Sequence, residues 1–199
     1  MVKKLKIFNN FNIPNKFKKS IILIGNFDGL HSGHQKLFEL AKKYKTKYKS
    51  KIGVVTFDPI PKMFFNTKIK NYRISNFNQK VIYLKKFGVD FVINKKFDKN
   101  FSKINYHKFI KDILSRKLRS KFIFVSNNFR FGHKREGDVS QLKKYENDFG
   151  YNLINPAPLI KNKKIISSTV IRKLLEEGKL LKANTFLKRN WEIEGKVQR

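Results

Sequence analysis

Residues Ile21–His34 read IILIGNFDGLHSGH. Four aliphatic residues run without interruption into Gly25, and the next glycines, Gly29 and Gly33, fall four apart around His31 and His34. A short continuous apolar run suits a strand buried on both faces. Beyond it, Leu37, Leu40, Ala41, Tyr44 and Tyr48 recur at spacings of three and four, the mark of one helix face. The stretch therefore reads as strand, glycine turn, helix. It is neither a GxGxxG fingerprint nor a P-loop, since no Gly-Lys-Ser/Thr follows.

The same alternation continues along the chain. Lys51–Phe57, Val89–Asn94 and Ser120–Ser126 repeat the buried-strand pattern, and a fifth strand is expected over Tyr151–Ile154. Helical faces lie in Gln79–Phe87, His107–Leu118 and Val139–Phe149. Strand–helix alternation calls for an α/β fold, a Rossmann-like open parallel sheet with helices on both faces. Ser168–Glu177 reads as a short amphipathic helix stopped by Gly178, with a second helix over Leu180–Leu187. Trp191–Val197 then begins to look like a strand.

The bulk properties narrow the classes. At 199 residues and 40% hydrophobic, the chain has the material for one domain with a real core. It contains no cysteine, which excludes disulfides, thiolate nucleophiles and Cys-based zinc sites. The basic N-terminus lacks the apolar run of a signal peptide, and Ile21–Ile24 is far short of a membrane span, so a cytoplasmic location and no membrane partner are expected. The net charge of +32 invites a nucleic-acid reading. Yet only eight of the 46 basic residues are Arg, the better residue for bidentate recognition. Abundant Lys, Asn, Ile and Phe beside three alanines instead fit a bias towards A/T-rich codons. Nucleic acid is not the expected partner.

In open parallel sheets, ligands bind beyond the carboxyl ends of the strands. After the first strand, Gly33 permits close approach of a ligand to the backbone, and Ser32 with Gln35 has the form of a capping box. His31 and His34 then sit at a positive helix end, aimed where an anion would lie. Zinc ligation and plain capping are the competing readings of the two histidines. Phosphate binding is favoured because strand, glycine turn, cap and paired His coincide. A second helix start, Ile166-Ser167-Ser168-Thr169-Val170-Ile171-Arg172, repeats the theme with hydroxyls and a guanidinium. Its plain alternative is a Ser cap with a solvated Arg.

Four stretches carry a resemblance: GNFDGLHSGH (Gly25–His34), VVTFDPIPKMFF (Val54–Phe65), FVSNNFRFGHKREGD (Phe124–Asp138) and ISSTVIRKLLEEG (Ile166–Gly178). Together they resemble, in order, the FMN adenylyltransferase module of bacterial bifunctional riboflavin kinase/FAD synthetases, within the nucleotidyltransferase superfamily. The resemblance implies transfer of AMP from ATP to FMN, giving FAD and pyrophosphate, with Mg²⁺ accompanying ATP. It implies His31, His34 and Arg172 as catalytic residues. It places ATP against Gly25, Asn26, Phe27, Asp28, Gly33, Ser168 and Thr169, and FMN against Thr56, Pro59, Pro61, Asn128, Phe129 and Arg130. No protein-borne metal ligand is implied.

The chain departs from the family at two positions, with Ile60 where His is usual and Ser126 where Gly is usual. Phe186–Val197 resembles the junction to the family's kinase barrel, so residues 1–185 are expected as the adenylyltransferase domain and 186–199 as the start of a truncated or absent kinase domain. The kinase's Pro-Thr-Ala-Asn signature is not present in the sequence. Three alternatives stand beside this reading: a sister nucleotidyltransferase acting on phosphopantetheine or nicotinamide mononucleotide, a basic nucleic-acid-binding module, and a flavin-binding remnant without chemistry.

Overall fold

The computed structural model describes residues 5–69, 72–161 and 164–195. Six parallel strands form one sheet: β1 (Lys6–Phe8), β2 (Ile21–Ile24), β3 (Ile52–Asp58), β4 (Phe91–Lys96), β5 (Phe122–Phe124) and β6 (Asn152–Ile154), in the order β1-β4-β3-β2-β5-β6. The chain builds outward from β2 through β3 to β4, then returns to place β5 on the other side of β2. The order reverses between β2 and β5, and the carboxyl end of β2 lies at that reversal.

The expected doubly covered sheet follows from the strand composition. Ile21 and Leu23 point to one side with Leu37, Phe38 and Ala41 of helix α1 (Ser32–Lys47), and with Leu84 of helix α2 (Phe77–Lys86). Ile22 and Ile24 point to the other, against Ile110 and Leu114 of helix α3 (Phe109–Lys117). Each such side chain, once buried, contributes on the order of 1.5–3 kcal/mol. At Gly53 in β3 an added Cβ would lie 2.1 Å from the Phe91 ring, so glycine there is what lets the aromatic cross the strand.

Several sequence expectations are corrected. Strand β1 was not expected; three residues among lysines and asparagines carry no readable period, and the strand forms because β4 offers it an edge. The His107–Leu118 helix winds through α3 as a π-helix, with the Leu118 amide donating to the Ile113 carbonyl at 3.0 Å. Val139–Phe149 breaks at Tyr145 into helix α4 (Val139–Lys144) and the turn Glu146–Phe149, and Arg130–Phe131 pairs with Gly137–Asp138 as a small hairpin.

Helices α5 (Ser168–Glu176) and α6 (Leu180–Leu187) pack together on a third cluster of Ile74, Ile171, Leu174, Ala183 and Leu187. The described part of the expected strand Trp191–Val197, residues Trp191–Gly195, is irregular; residues 196–199 lie outside the described residues. Side chains rather than a ladder hold its start, with the Trp191 amide donating to the Asn184 side chain at 2.7 Å. The Trp191 indole donates to the Ile74 carbonyl at 2.8 Å, and Gln79 donates to the Glu192 carbonyl at 3.1 Å.

Candidate active site

The turn after β2 is tightly wound. Phe27 and Leu30 hold positive φ of 45° and 40°, unusual for bulky residues, and Gly29 lies at 75°. Burial supports the conformation, since Leu30 is fully enclosed and Phe27 nearly so. The expected capping box at Ser32 and Gln35 does not form. His31 is the cap, its Nδ1 accepting from the His34 amide at 3.4 Å, while Gln35 donates to the carbonyls of Leu30 and Leu187. A capping box does form one helix later, between Asn76 and Gln79.

The two histidine rings stack, with centroids 3.7 Å apart. Because His31 Nδ1 accepts from the His34 amide, its proton belongs on Nε2. Burial, reinforced by the Arg172 guanidinium, lowers the His31 pKa to about 4. Burial also takes His34 well below the ordinary value, with His31 and Lys80 adding to the effect, and among the described residues its Nδ1 has no hydrogen-bond partner. Both imidazoles are therefore neutral donors at pH 7. Gly33 is needed beside them: a Cβ there would stand 3.2 Å from the His31 ring.

Asp28 lies beneath the turn, almost fully buried. Its carboxylate accepts from the Ile74 and Ser75 amides and from Arg172 at 2.8 Å, and its carbonyl accepts from the Ser168 hydroxyl at 2.9 Å. Arg172 also donates through Nε to the Tyr72 carbonyl and stacks on the Tyr72 ring at 3.7 Å. The helix start of α5 and the turn after β2 are thereby joined into one unit. Ser167 caps α5, and Thr169 at its first turn is exposed.

Other expected residues lie at the same carboxyl edge of the sheet. Thr56 is fully buried, its hydroxyl donating to the Asn26 carbonyl at 3.3 Å. Pro59 and Pro61 flank Ile60, which is buried and caps the short helix Pro61–Phe65. Asp58 pairs with Arg73. Phe129 stacks on Phe131, Arg130 is turned to Asp138 at 2.6 Å, and the Ser126 hydroxyl holds the Asn128 side chain at 2.9 Å. Among the described residues, no hydrogen bond or ion pair joins Asn128, Phe129 or Arg130 to the histidine turn. Lys80, Tyr72, Ile74 and Ser75 take part in the site but were not singled out from sequence. For Lys80 a signal existed, since it lies four residues before Leu84 on the inward face of α2.

Among the described residues no three His, Asp or Glu side chains converge as a metal site. The nearest carboxylates are committed, Asp28 to Arg172 and Asp58 to Arg73. No helix among the described residues is long and apolar enough to cross a membrane. A separate cleft of about 920 Å³ opens at the amino ends of the strands, lined by Lys19, Lys51, Arg116, Arg119 and Lys121 among others.

The family model for FAD synthetase matches residues 13–170. The chain belongs to the FAD synthetase family. It is 40% identical over 186 residues to the bifunctional riboflavin kinase/FMN adenylyltransferase of Buchnera aphidicola subsp. Acyrthosiphon pisum, covering 94% of this chain and 59% of the relative. With the enzyme of that name from Escherichia coli K12 it shares 34% identity, covering 89% of this chain and 56% of the relative. The chain thus spans less than two thirds of the curated relatives it matches. Its fold is shared with the crystal structure of a macrolide-efflux protein from Streptococcus pneumoniae, with a TM-score of 0.82 and 26% identity over 94% of this chain and 72% of that one. The family match spans the histidine turn and both strand-end segments, and ends within α5, two residues before Arg172.

Proposed function

We propose that this FAD synthetase family member transfers AMP from ATP to FMN. An FMN phosphate oxygen attacks the α-phosphorus in line, a new P–O bond forms, the bond to the β-phosphate oxygen breaks, and pyrophosphate leaves with that electron pair. The observation carrying the reading is the joining of the His31–His34 turn to the Ser168–Arg172 helix start through Asp28, at the reversal of strand order. An ionised FMN phosphate needs no side-chain nucleophile, so the protein contributes position and charge. His31 and His34 donate to the ATP phosphates, and the α5 start, with Thr169 exposed at its first turn, receives the leaving end. Gly25, Asn26, Phe27 and Gly33 shape the nucleotide side. Thr56, Pro59, Pro61, Asn128, Phe129 and Arg130 bound the flavin side.

Mg²⁺ accompanying ATP would supply neutralisation of phosphate charge. By this reading residues 1–185 constitute the transferring unit and residues 186–199 the start of a truncated or absent kinase domain; Phe186 and Leu187 pack in the cluster with Ile74, and the Trp191 indole donates to the Ile74 carbonyl. The test offers α-labelled MgATP with FMN, nicotinamide mononucleotide or phosphopantetheine. Label passing to FMN alone is expected; label passing to another acceptor assigns a sister activity. The basic cleft at the opposite edge is what a nucleic-acid reading would draw on, and that reading requires affinity falling steeply with salt.

A further inference from the structure

Helix α2 carries a lysine where an apolar residue is the ordinary choice. Lys80 is 6% exposed, and no carboxylate accepts from it among the described residues. Its ammonium donates to the Asn26 carbonyl at 2.8 Å and to the Thr56 hydroxyl at 3.4 Å, and that hydroxyl donates to the same carbonyl. A buried cation without an ion-pair partner opposes folding, so hydrogen bonds to two strand ends must compensate for lost water. Those ends belong to different halves of the site. Asn26 lies in the nucleotide turn after β2, and Thr56 lies on the flavin side at the end of β3.

We propose that Lys80 is a positioning residue that locks the nucleotide turn to the flavin-side strand end, holding the acceptor phosphate in line with the α-phosphorus. The proposal rests on the AMP-transfer reading above. It accounts for a charged group being kept beneath the site, bonded to the two strand ends and to no carboxylate among the described residues. The orientation of α2 serves the same purpose, since Asn76 and Gln79 fix its start and Gln79 is tied to Glu192.

The groups facing Lys80 come from every neighbouring element: His34 from α1, Asp28 from the turn, Asp58 from the end of β3 and Arg73 from the segment before α2. Burial, which dominates, and Arg73 lower its pKa to about 8, with Asp28 and Asp58 opposing. The ammonium is therefore charged at pH 7 and loses its proton as pH rises through about 8. The two histidines are already neutral there and do not titrate in that window.

The test compares the full chain with its Lys80→Met variant, measuring melting temperature, MgATP binding by calorimetry without FMN, and FAD formation from pH 6.5 to 9.5. The expected result is MgATP affinity within about threefold of wild type with kcat lowered about 10²-fold. Wild-type kcat/KM should fall on an alkaline limb near pH 8 that the variant lacks. Unchanged kcat in the variant overturns the proposal, as does a loss of MgATP affinity that accounts for the whole loss of turnover. If the variant does not fold, the wild-type profile decides: a limb near pH 8 at constant melting temperature supports the proposal, and a flat profile overturns it. Failure of the underlying reading is distinguishable, because then the wild type itself makes no FAD.

Discussion

The Arg172 guanidinium donates to the Asp28 carboxylate at 2.8 Å across 144 residues of sequence. This pair is the mechanical link between the two helix starts that the proposed reaction needs. It is nearly dry, with Asp28 2% and Arg172 14% exposed at the side chain, and each partner has further bonds of its own. Such a pair fixes geometry more than it raises stability, because desolvation offsets much of the attraction. Arg172 thus donates to both Asp28 and the Tyr72 carbonyl and stacks on the Tyr72 ring.

Removing Asp28 leaves a largely buried guanidinium without its counter-charge. Asp28→Ala is expected to lower unfolding free energy by about 3–5 kcal/mol, measured by urea denaturation. Combined with Arg172→Ala, the loss should fall short of the sum of the singles, since the shared ion pair is counted in both. Additive losses would show that the two side chains act independently.

His31 donates to phosphate in the proposed reaction. His31→Ala should reduce turnover about 10²–10³-fold, as loss of one preorganised donor does elsewhere. A reduction of only a few-fold, in steady-state FAD formation, removes His31 from the catalytic set.

The same residue makes stability depend on pH. Its pKa is about 4 in the folded chain against 6.5 unfolded, so between those values the unfolded state binds more protons. Stability is therefore full above pH 6.5 and declines as pH falls towards 4. A His31→Asn variant should show a shallower decline over that window in urea midpoints, and an unchanged slope would contradict the assignment.

Gly33 separates function from stability. A methyl group there meets the His31 ring at 3.2 Å, so the ring must shift by a few tenths of an ångström. Gly33→Ala is expected to lower turnover about tenfold through that misplacement. Because alanine suits a helix better than glycine, the melting temperature should hold or rise. Undiminished turnover would mean that the ring position is not critical.

Much of the fold was legible because its central strands are buried on both faces. Ile21–Ile24 and Ile52–Val55 have no polar alternation and are buried throughout, as strands inside a parallel sheet are. Strand β1 was not legible, as Lys6–Phe8 acquires its structure from β4. The histidine turn announced itself through its glycines and its place after β2. Its capping did not follow the S-x-x-Q pattern, because Gln35 is drawn to Leu187, a residue 152 positions away. Long-range partners of that kind also hid the roles of Asp28 and Lys80. Residue type at short spacing singles out the turn, but says little about what anchors it from behind.

The most direct test incubates the purified chain with ATP, Mg²⁺ and FMN, quantifies FAD and pyrophosphate together, and runs riboflavin in parallel. The account predicts FAD and pyrophosphate in equal amounts from FMN and none from riboflavin. A folded chain that binds ATP yet yields neither product from FMN would contradict it.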